Sequence, residues 1–390
     1  MNVGAAGQGV LVRIASPYAV MAPFDEPVAD LLFGGLTPRA WVDAAALACG
    51  LTVVTVASDD TLPTNTAVAV TDDVVVNGAT LVSFLEARER AAGHGVIQAG
   101  IAPGTALWEA SARLGHGVVG EPLAVGLWAG ALGGRKAADV VAGRDDDTAV
   151  VVIADEVGAV VVDTRPHGVA PHQLAIANVE RLLGQPRHWL HVLDLSLAAL
   201  QTRLRDTPGR VALQRRRGQK VHPTARIERS IIGDNVTIEA HVSVTDSVIG
   251  DDVIVADHSV IHGSVVGAGC RTLVDTHLRR VVAMPGSTLS NLDMQDAVFG
   301  REVFLTTGVA FFHDGPGQNV VVDGADSGRA VLGGAIGRRA VLGSRALFRC
   351  GVALPAGALV VARPEEAVGK LDAASLARAA MRFGDRATDV

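Results

Sequence analysis

The chain has 390 residues, room for two or three domains that each bury a core; 49% of it is hydrophobic, only 4% is aromatic, and 44 residues are glycine. A net charge of −7, with positive charge carried almost wholly by arginine, leaves no broad basic face and argues against a nucleic-acid partner. No stretch is apolar enough to span a bilayer and no basic start precedes an apolar run, so a cytoplasmic protein with no membrane partner is expected.

In chain order, the glycines of Ala5-Ala6-Gly7-Gln8-Gly9 read as a tail, and Val10–Ile14 as the first strand. Further Val-rich runs at Leu51–Val56, Ala67–Val70, Val150–Ile153 and Ala159–Val162 predict strands. Helical patterns fall at Pro38–Ala48, Leu81–Ala92, Leu107–Leu114, His172–Leu183 and Trp189–Arg205. Strands alternating with helices predict an α/β domain over 1–205, and the Arg-rich stretch 206–220 reads as a linker. Cys49, Cys270 and Cys350 fit neither a disulfide framework nor a zinc site and read as buried small hydrophobes.

The second half repeats itself. Ile232-Gly233-Asp234-Asn235 recurs as Ile249-Gly250-Asp251-Asp252 and as Val266-Gly267-Ala268-Gly269. Within a repeat, aliphatic residues recur every six positions: Ile232, Ile238, Val244; Ile249, Val255, Ile261; and later Ile336, Leu342, Phe348, Leu354, Val360. An interval of six fits neither an α-helix nor a simple alternating strand. It fits a triangular solenoid in which each short side turns one aliphatic residue inward, here over 221–363, followed by a helical tail at 364–390. The pattern weakens from Arg279 to Phe304 and vanishes between Thr306 and Leu332. That interval predicts an excursion loop carrying Phe311-Phe312-His313-Asp314, with a small hairpin around Val320–Val322 and Asp323-Gly324.

The opening Val221-His222-Pro223-Thr224-Ala225 and the coils after it resemble the hexapeptide-repeat (LpxA-like trimeric) superfamily over about 140 residues. The resemblance implies a left-handed parallel β-helix, a homotrimer and, in some members, acyl transfer from a coenzyme A thioester in the groove between subunits. The stretch Pro23-Phe24-Asp25-Glu26-Pro27-Val28-Ala29-Asp30-Leu31-Leu32-Phe33-Gly34-Gly35-Leu36-Thr37, with Trp41 after it, resembles the opening of GlmU-like sugar nucleotidyltransferases. Thr71-Asp72-Asp73 sits where that group places an acidic turn, and Gln185–Leu204 resembles its closing helix. The order of parts therefore matches over most of the chain. The chemistry departs: Glu26 and Leu32 stand where the group has arginine, and no lysine precedes Lys136. Nucleotidyl transfer needs backbone N–H groups around a triphosphate and cations at the phosphoryl centre. The first domain is accordingly read as a degenerate nucleotidyltransferase-like fold. It would need Mg²⁺ only if active.

The catalytic candidates follow from the acyl-transfer reading. A histidine base must deprotonate an amine or hydroxyl, and the solenoid offers His241, His258, His262 and His277, with His258 and His262 in one coil. His313 on the excursion, with Asp314 beside it to orient the ring or meet substrate, is the strongest single choice. Asp72 and Asp73 are the substrate-binding candidates of the first domain, whereas the run Asp145–Asp147 reads as a solvated turn. Neither His188/His191 nor His167/His172 has zinc-site spacing, so no resident metal is expected. Three functions remain open. The first is a hexapeptide transferase acting on or binding a sugar phosphate or nucleotide sugar. The others are a non-catalytic trimeric scaffold and a sugar-1-phosphate nucleotidyltransferase.

Overall fold

The computed structural model describes residues 9–15, 20–91, 95–103, 121–143, 148–153, 160–162, 172–174, 180–205, 217–290, 294–312, 318–344 and 346–361. Gly7, the helix expected at Leu107–Leu114, Asp145–Asp147, His313, Asp314, most of the linker and the tail from 364 lie outside the described residues.

The first part is α/β. Its strands are β1 (Val10–Ile14), β2 (Thr52–Val56), β3 (Thr66–Thr71), β4 (Val75–Val76), β5 (Val96–Ile101), β6 (Leu123–Gly130) and β7 (Thr148–Ile153). Six of them form one sheet in the order β2-β1-β3-β6-β5-β7, with β6 antiparallel to both neighbours and the remaining pairs parallel. β1 is buried along its whole length, as a strand inside a two-sided sheet must be. Its one charged residue, Arg13, is paired with Asp43.

The interior strands β5 and β6 carry no Val-rich run, because packing there demands small residues. A Cβ on Gly100 would lie 2.6 Å from Val150 Cγ1, and one on Gly126 would lie 2.2 Å from Thr71 Oγ1. The described ends of His172–Leu183, expected as a helix, are strands. His172–Leu174 (β9) is a strand paired antiparallel with Val160–Val162 (β8), and Leu183–Gly184 (β10) pairs with β4. Pairing with a β-branched partner overrides local helical preference.

Four helices are described: α1 (Pro38–Ala48), α2 (Gly78–Arg90), the short α3 (Ala137–Val141) and α4 (Trp189–Arg205). Thr37 caps α1 by accepting from Ala40 N, and Pro38 fills the first turn, where its missing N–H costs nothing. Asn77 caps α2 and also accepts from Leu182 N, which ties the helix start to the strand before α4. One sheet face (Leu11, Val68, Val70, Ile97, Leu127) packs on α1, α2 and α4, whereas Val12, Ala69, Val96 and Trp128 on the other meet α3.

The second part is a parallel β-helix of three stacked sheets. The first face has eight strands from Lys220–Val221 to Leu359–Val360; the second runs from Arg226–Glu228 to Met294–Gln295; the third has seven from Ile231–Ile232 to Ala353–Leu354. The residues at intervals of six point inward: Ile232, Ile238, Val244, Ile249, Val255, Ile261, Ile336 and Leu342 are all buried in one core. The weakened stretch has a simple cause. Ala283 pairs with Phe299, sixteen residues on, while Ile249 pairs with Val266, seventeen on, so one coil is a residue short. The interruption expected from Thr306 begins later in the structure, because Ala310–Phe312 remains in the stack and pairs with Leu347–Arg349. Beyond it, Val321–Val322 and Ala325–Asp326 form the small antiparallel hairpin that Asp323-Gly324 predicts.

The two parts share a core. The outward column of the third face is Val248, Val265, Val282, Val298 and Ala335, all buried against the α/β domain. The element that covers it is α4, of whose seventeen residues fourteen are buried. Gly34 lets the turn at Phe33–Leu36 lie flush on this helix: a Cβ there would sit 2.6 Å from the backbone of Ala199. Polar contacts fix the register of the two parts. Glu26 accepts from Arg301 Nε at 2.8 Å, Asp25 pairs with Arg338, and buried Arg329, just after the hairpin, pairs with Asp194 of α4. The segment of 23–37 that resembles a nucleotidyltransferase opening is thus an interface wedge, and Glu26 answers Arg301 of the solenoid.

Arg329 and Asp194 are 4% and 1% exposed. Removing one partner of such a buried pair costs about 3–5 kcal/mol, so Arg329→Ala should lower stability by that amount in urea unfolding. A loss below about 1 kcal/mol, the surface-pair range, would contradict the assignment.

Candidate functional site

A cleft lined by polar groups lies in the α/β domain. About 500 Å³ of space opens at the carboxyl edge of β1 and β3, on the sheet face that α3 covers only partly. Open α/β sheets bind ligands at this edge. The floor is Thr71, Gln98, Ala124, Gly126 and Trp128; Ala138, Val141 and Ala142 form one wall, and Ser58, Gln185 and Arg187 complete the lining. Gly9, at the end of the glycine-containing tail, precedes β1 and so stands at the opposite edge of the sheet. The sequence that follows the cleft end of β1, Ala15-Ser16-Pro17-Tyr18-Ala19, contains no glycine.

A compact hydrogen-bond network lines the edge. Gln185 Nε2 donates to both carboxylate oxygens of Asp73, each at 3.0 Å, and to Thr71 Oγ1 at 3.3 Å. Gln185 Oε1 accepts from Gly126 N at 3.2 Å and from Arg187 Nη2 at 3.3 Å. Asp73 is 1% exposed, which explains why both of its oxygens are satisfied internally. Asp72 points elsewhere: its Oδ2 accepts from Arg39 Nη2 at 3.3 Å. The two candidate aspartates therefore do not converge. Gln98 Nε2 donates to Val125 O at 3.0 Å, which leaves its carbonyl oxygen to meet a ligand.

Sequence reasoning missed Gln98, Trp128, Gln185 and Arg187. Their one signal was position, on unrecognised strands or just before a recognised helix. The segment after Gln185 leads straight to the solenoid. Arg187 N donates to His191 Nδ1, and His188 Nδ1 accepts from Leu190 N at 3.1 Å while Nε2 lies 3.0 Å from Asp323 Oδ2 of the hairpin.

The solenoid histidines stand on its exposed side. His262 ends a second-face strand, and its Nδ1 lies 2.9 Å from Thr245 Oγ1 in the coil below. With the proton on Nδ1, Nε2 is left as a base. Arg279 pairs with His262 one coil above. His258 occupies a corner with φ of 59° and its ring stacks 5.1 Å from that of His241, another corner residue. His277 pairs with Val260, so it belongs to a different column from His262. His313 and Asp314 lie outside the described residues.

Among the described residues, no three His, Cys, Asp or Glu side chains gather to hold a metal ion. No described helix is long and apolar enough to cross a membrane. Burial raises the Cys270 thiol to about 11, so it is a packing residue and not a nucleophile.

No family model matches the chain. No curated protein matches it either. Among solved structures, PerB from Caulobacter crescentus, determined with CoA and GDP-perosamine, is similar over 38% of this chain at 21% identity and a TM-score of 0.17. The match spans 56% of that chain's length.

Burial holds the pKa of His188 below its ordinary 6.5, against the pull of Asp323. The unfolded chain then takes up the proton first as pH falls, so stability is full above about 6.5 and is lost as pH drops toward the folded pKa. His188→Gln should flatten the slope of melting temperature between pH 7 and 5. An unchanged slope would remove His188 as its source.

Proposed function

We propose that the chain is a transferase-type hexapeptide-repeat protein: a left-handed β-helix assembled as a homotrimer, carrying a degenerate nucleotidyltransferase-like domain that holds a sugar phosphate or nucleotide sugar. The observation that carries this reading is the 500 Å³ cleft, whose hydroxyl, amide and guanidinium groups suit a polyhydroxylated ligand with an anionic group. The mixed sheet order, with one antiparallel strand in the centre, supports a nucleotidyltransferase ancestry.

Acyl transfer is assigned to the exposed side of the solenoid. A coenzyme A thioester lying there would meet His262, Thr245 and Arg279, and would supply the acyl group. His262 Nε2 takes a proton from the acceptor amine or hydroxyl as that atom attacks the thioester carbonyl. Collapse then breaks the C–S bond, and the proton passes to the departing thiolate. Thr245 holds the imidazole in the tautomer that this requires. His258 is the second base candidate of the same coil, and His313 with Asp314 remains the candidate of the insertion.

Nucleotide transfer is disfavoured by the glycine-free sequence after β1 and by the internal partners of Asp72 and Asp73. A thermal-shift screen with coenzyme A and nucleotide sugars tests the reading. A ligand at a hundred times its Kd stabilises by about 2.7 kcal/mol, and His262→Ala should keep that shift while lowering turnover about 10²–10⁴-fold. If neither ligand class moves the melting temperature at millimolar concentration, the transferase reading fails and the solenoid is a scaffold.

A further inference from the structure

Asp73 and Gln185 form a closed pair at the wall of the cleft. Asp73 is a buried carboxylate, and a hard cation such as Mg²⁺ would need its oxygens together with several others converging in space. Both oxygens already accept from one amide nitrogen at 3.0 Å. The amide cannot readily turn its oxygen toward Asp73. That flip would set Nε2 against the N–H of Gly126 and the guanidinium of Arg187, three donors facing one another, and would press a carbonyl oxygen onto a carboxylate. Asp72, the nearest alternative carboxylate in sequence, is held by Arg39. The donor set therefore does not fit a divalent cation.

We propose that Gln185 takes the place of a cation beside Asp73, so that the cleft binds its ligand without a divalent metal and meets the ligand's anionic group with Arg187. The ligand class rests on the reading of the cleft as a sugar phosphate or nucleotide sugar site. Arg187 is the cationic side chain among the described lining residues. A guanidinium carries five N–H donors in a planar fork, so it can grip a phosphate while keeping its bond to Gln185. Gly126 completes the device. Only a glycine at that position lets its own N–H reach Gln185 while Thr71 packs against it.

The test uses the full chain and Mn²⁺ as the probe, followed by electron paramagnetic resonance. The wild type should bind no Mn²⁺ in the α/β domain at millimolar concentration. Gln185→Glu sets two carboxylates side by side and should gain a site that fills at a Mn²⁺ concentration about tenfold or more below that, which a further Asp73→Asn change should abolish. Where Gln185→Glu fails to fold, Gln185→Ala takes the amide away from the Asp73 oxygens and should gain a weaker site. In parallel, any melting shift produced by UDP-glucose or GDP-mannose should be equal in Mg²⁺ and in EDTA. Wild-type Mn²⁺ binding that is lost in Asp73→Asn would overturn the proposal. So would a failure of both Gln185 variants to gain Mn²⁺, or a sugar-dependent shift that vanishes in EDTA. If no nucleotide sugar shifts the protein, the ligand reading falls, and the Mn²⁺ measurements alone still decide the role of Gln185.

Discussion

The outward side of one solenoid face is apolar, and the rest of the molecule is arranged around covering it. Val248, Val265, Val282, Val298 and Ala335 form a continuous valine-rich column that would be an exposed patch on an isolated β-helix. Helix α4 lies over it and is itself buried nearly all round, since the sheet of the α/β domain covers its other side. Three layers thus share one core: solenoid, helix, sheet. Burial of this kind is non-directional, so it fixes that the parts adhere but not how. Direction comes from the paired charges Glu26–Arg301, Asp25–Arg338 and Asp194–Arg329, which set the register of wedge, helix and hairpin.

This arrangement decides where chemistry can occur. One face of the solenoid is spent on the domain interface, so its other two faces are left to meet ligands or further subunits. His262 with Thr245 stands on one of them. The sheet of the α/β domain likewise has one face committed to the shared core, and its cleft opens on the face that only short α3 covers. The cleft is joined to the solenoid by a single stretch of chain. Gln185 and Arg187 line the cleft, His188 meets the hairpin at Asp323, and α4 begins at Trp189.

The solenoid was legible because its rule is local and strict. One inward aliphatic residue every six positions recurs in coil after coil and blurs only where a coil is a residue short or the chain leaves the stack, and Ile232, Ile238, Val244, Ile336 and Leu342 are buried as that rule requires. The α/β domain was only partly legible. Strands β5 and β6 escaped because Gly100 and Gly126 are small for the sake of their neighbours Val150 and Thr71, a tertiary demand that no local pattern displays. The site was less legible still. Asp72 and Asp73 are adjacent in sequence, yet one turns to Arg39 and the other to Gln185, more than a hundred residues away. Glu26, which sequence presented as a missing arginine, is intelligible only beside Arg301.

Solenoid and α/β domain are stabilised as one body through the valine column. All four tryptophans, Trp41, Trp108, Trp128 and Trp189, precede residue 206, so fluorescence reports on the α/β domain while circular dichroism also reports on the solenoid. Urea unfolding of the wild type should give coincident transitions by both signals. Val265→Asp, which places a charge at a fully buried position, should separate them, with the fluorescence transition moving to lower urea. Transitions that stay coincident and unshifted in Val265→Asp would contradict the shared core.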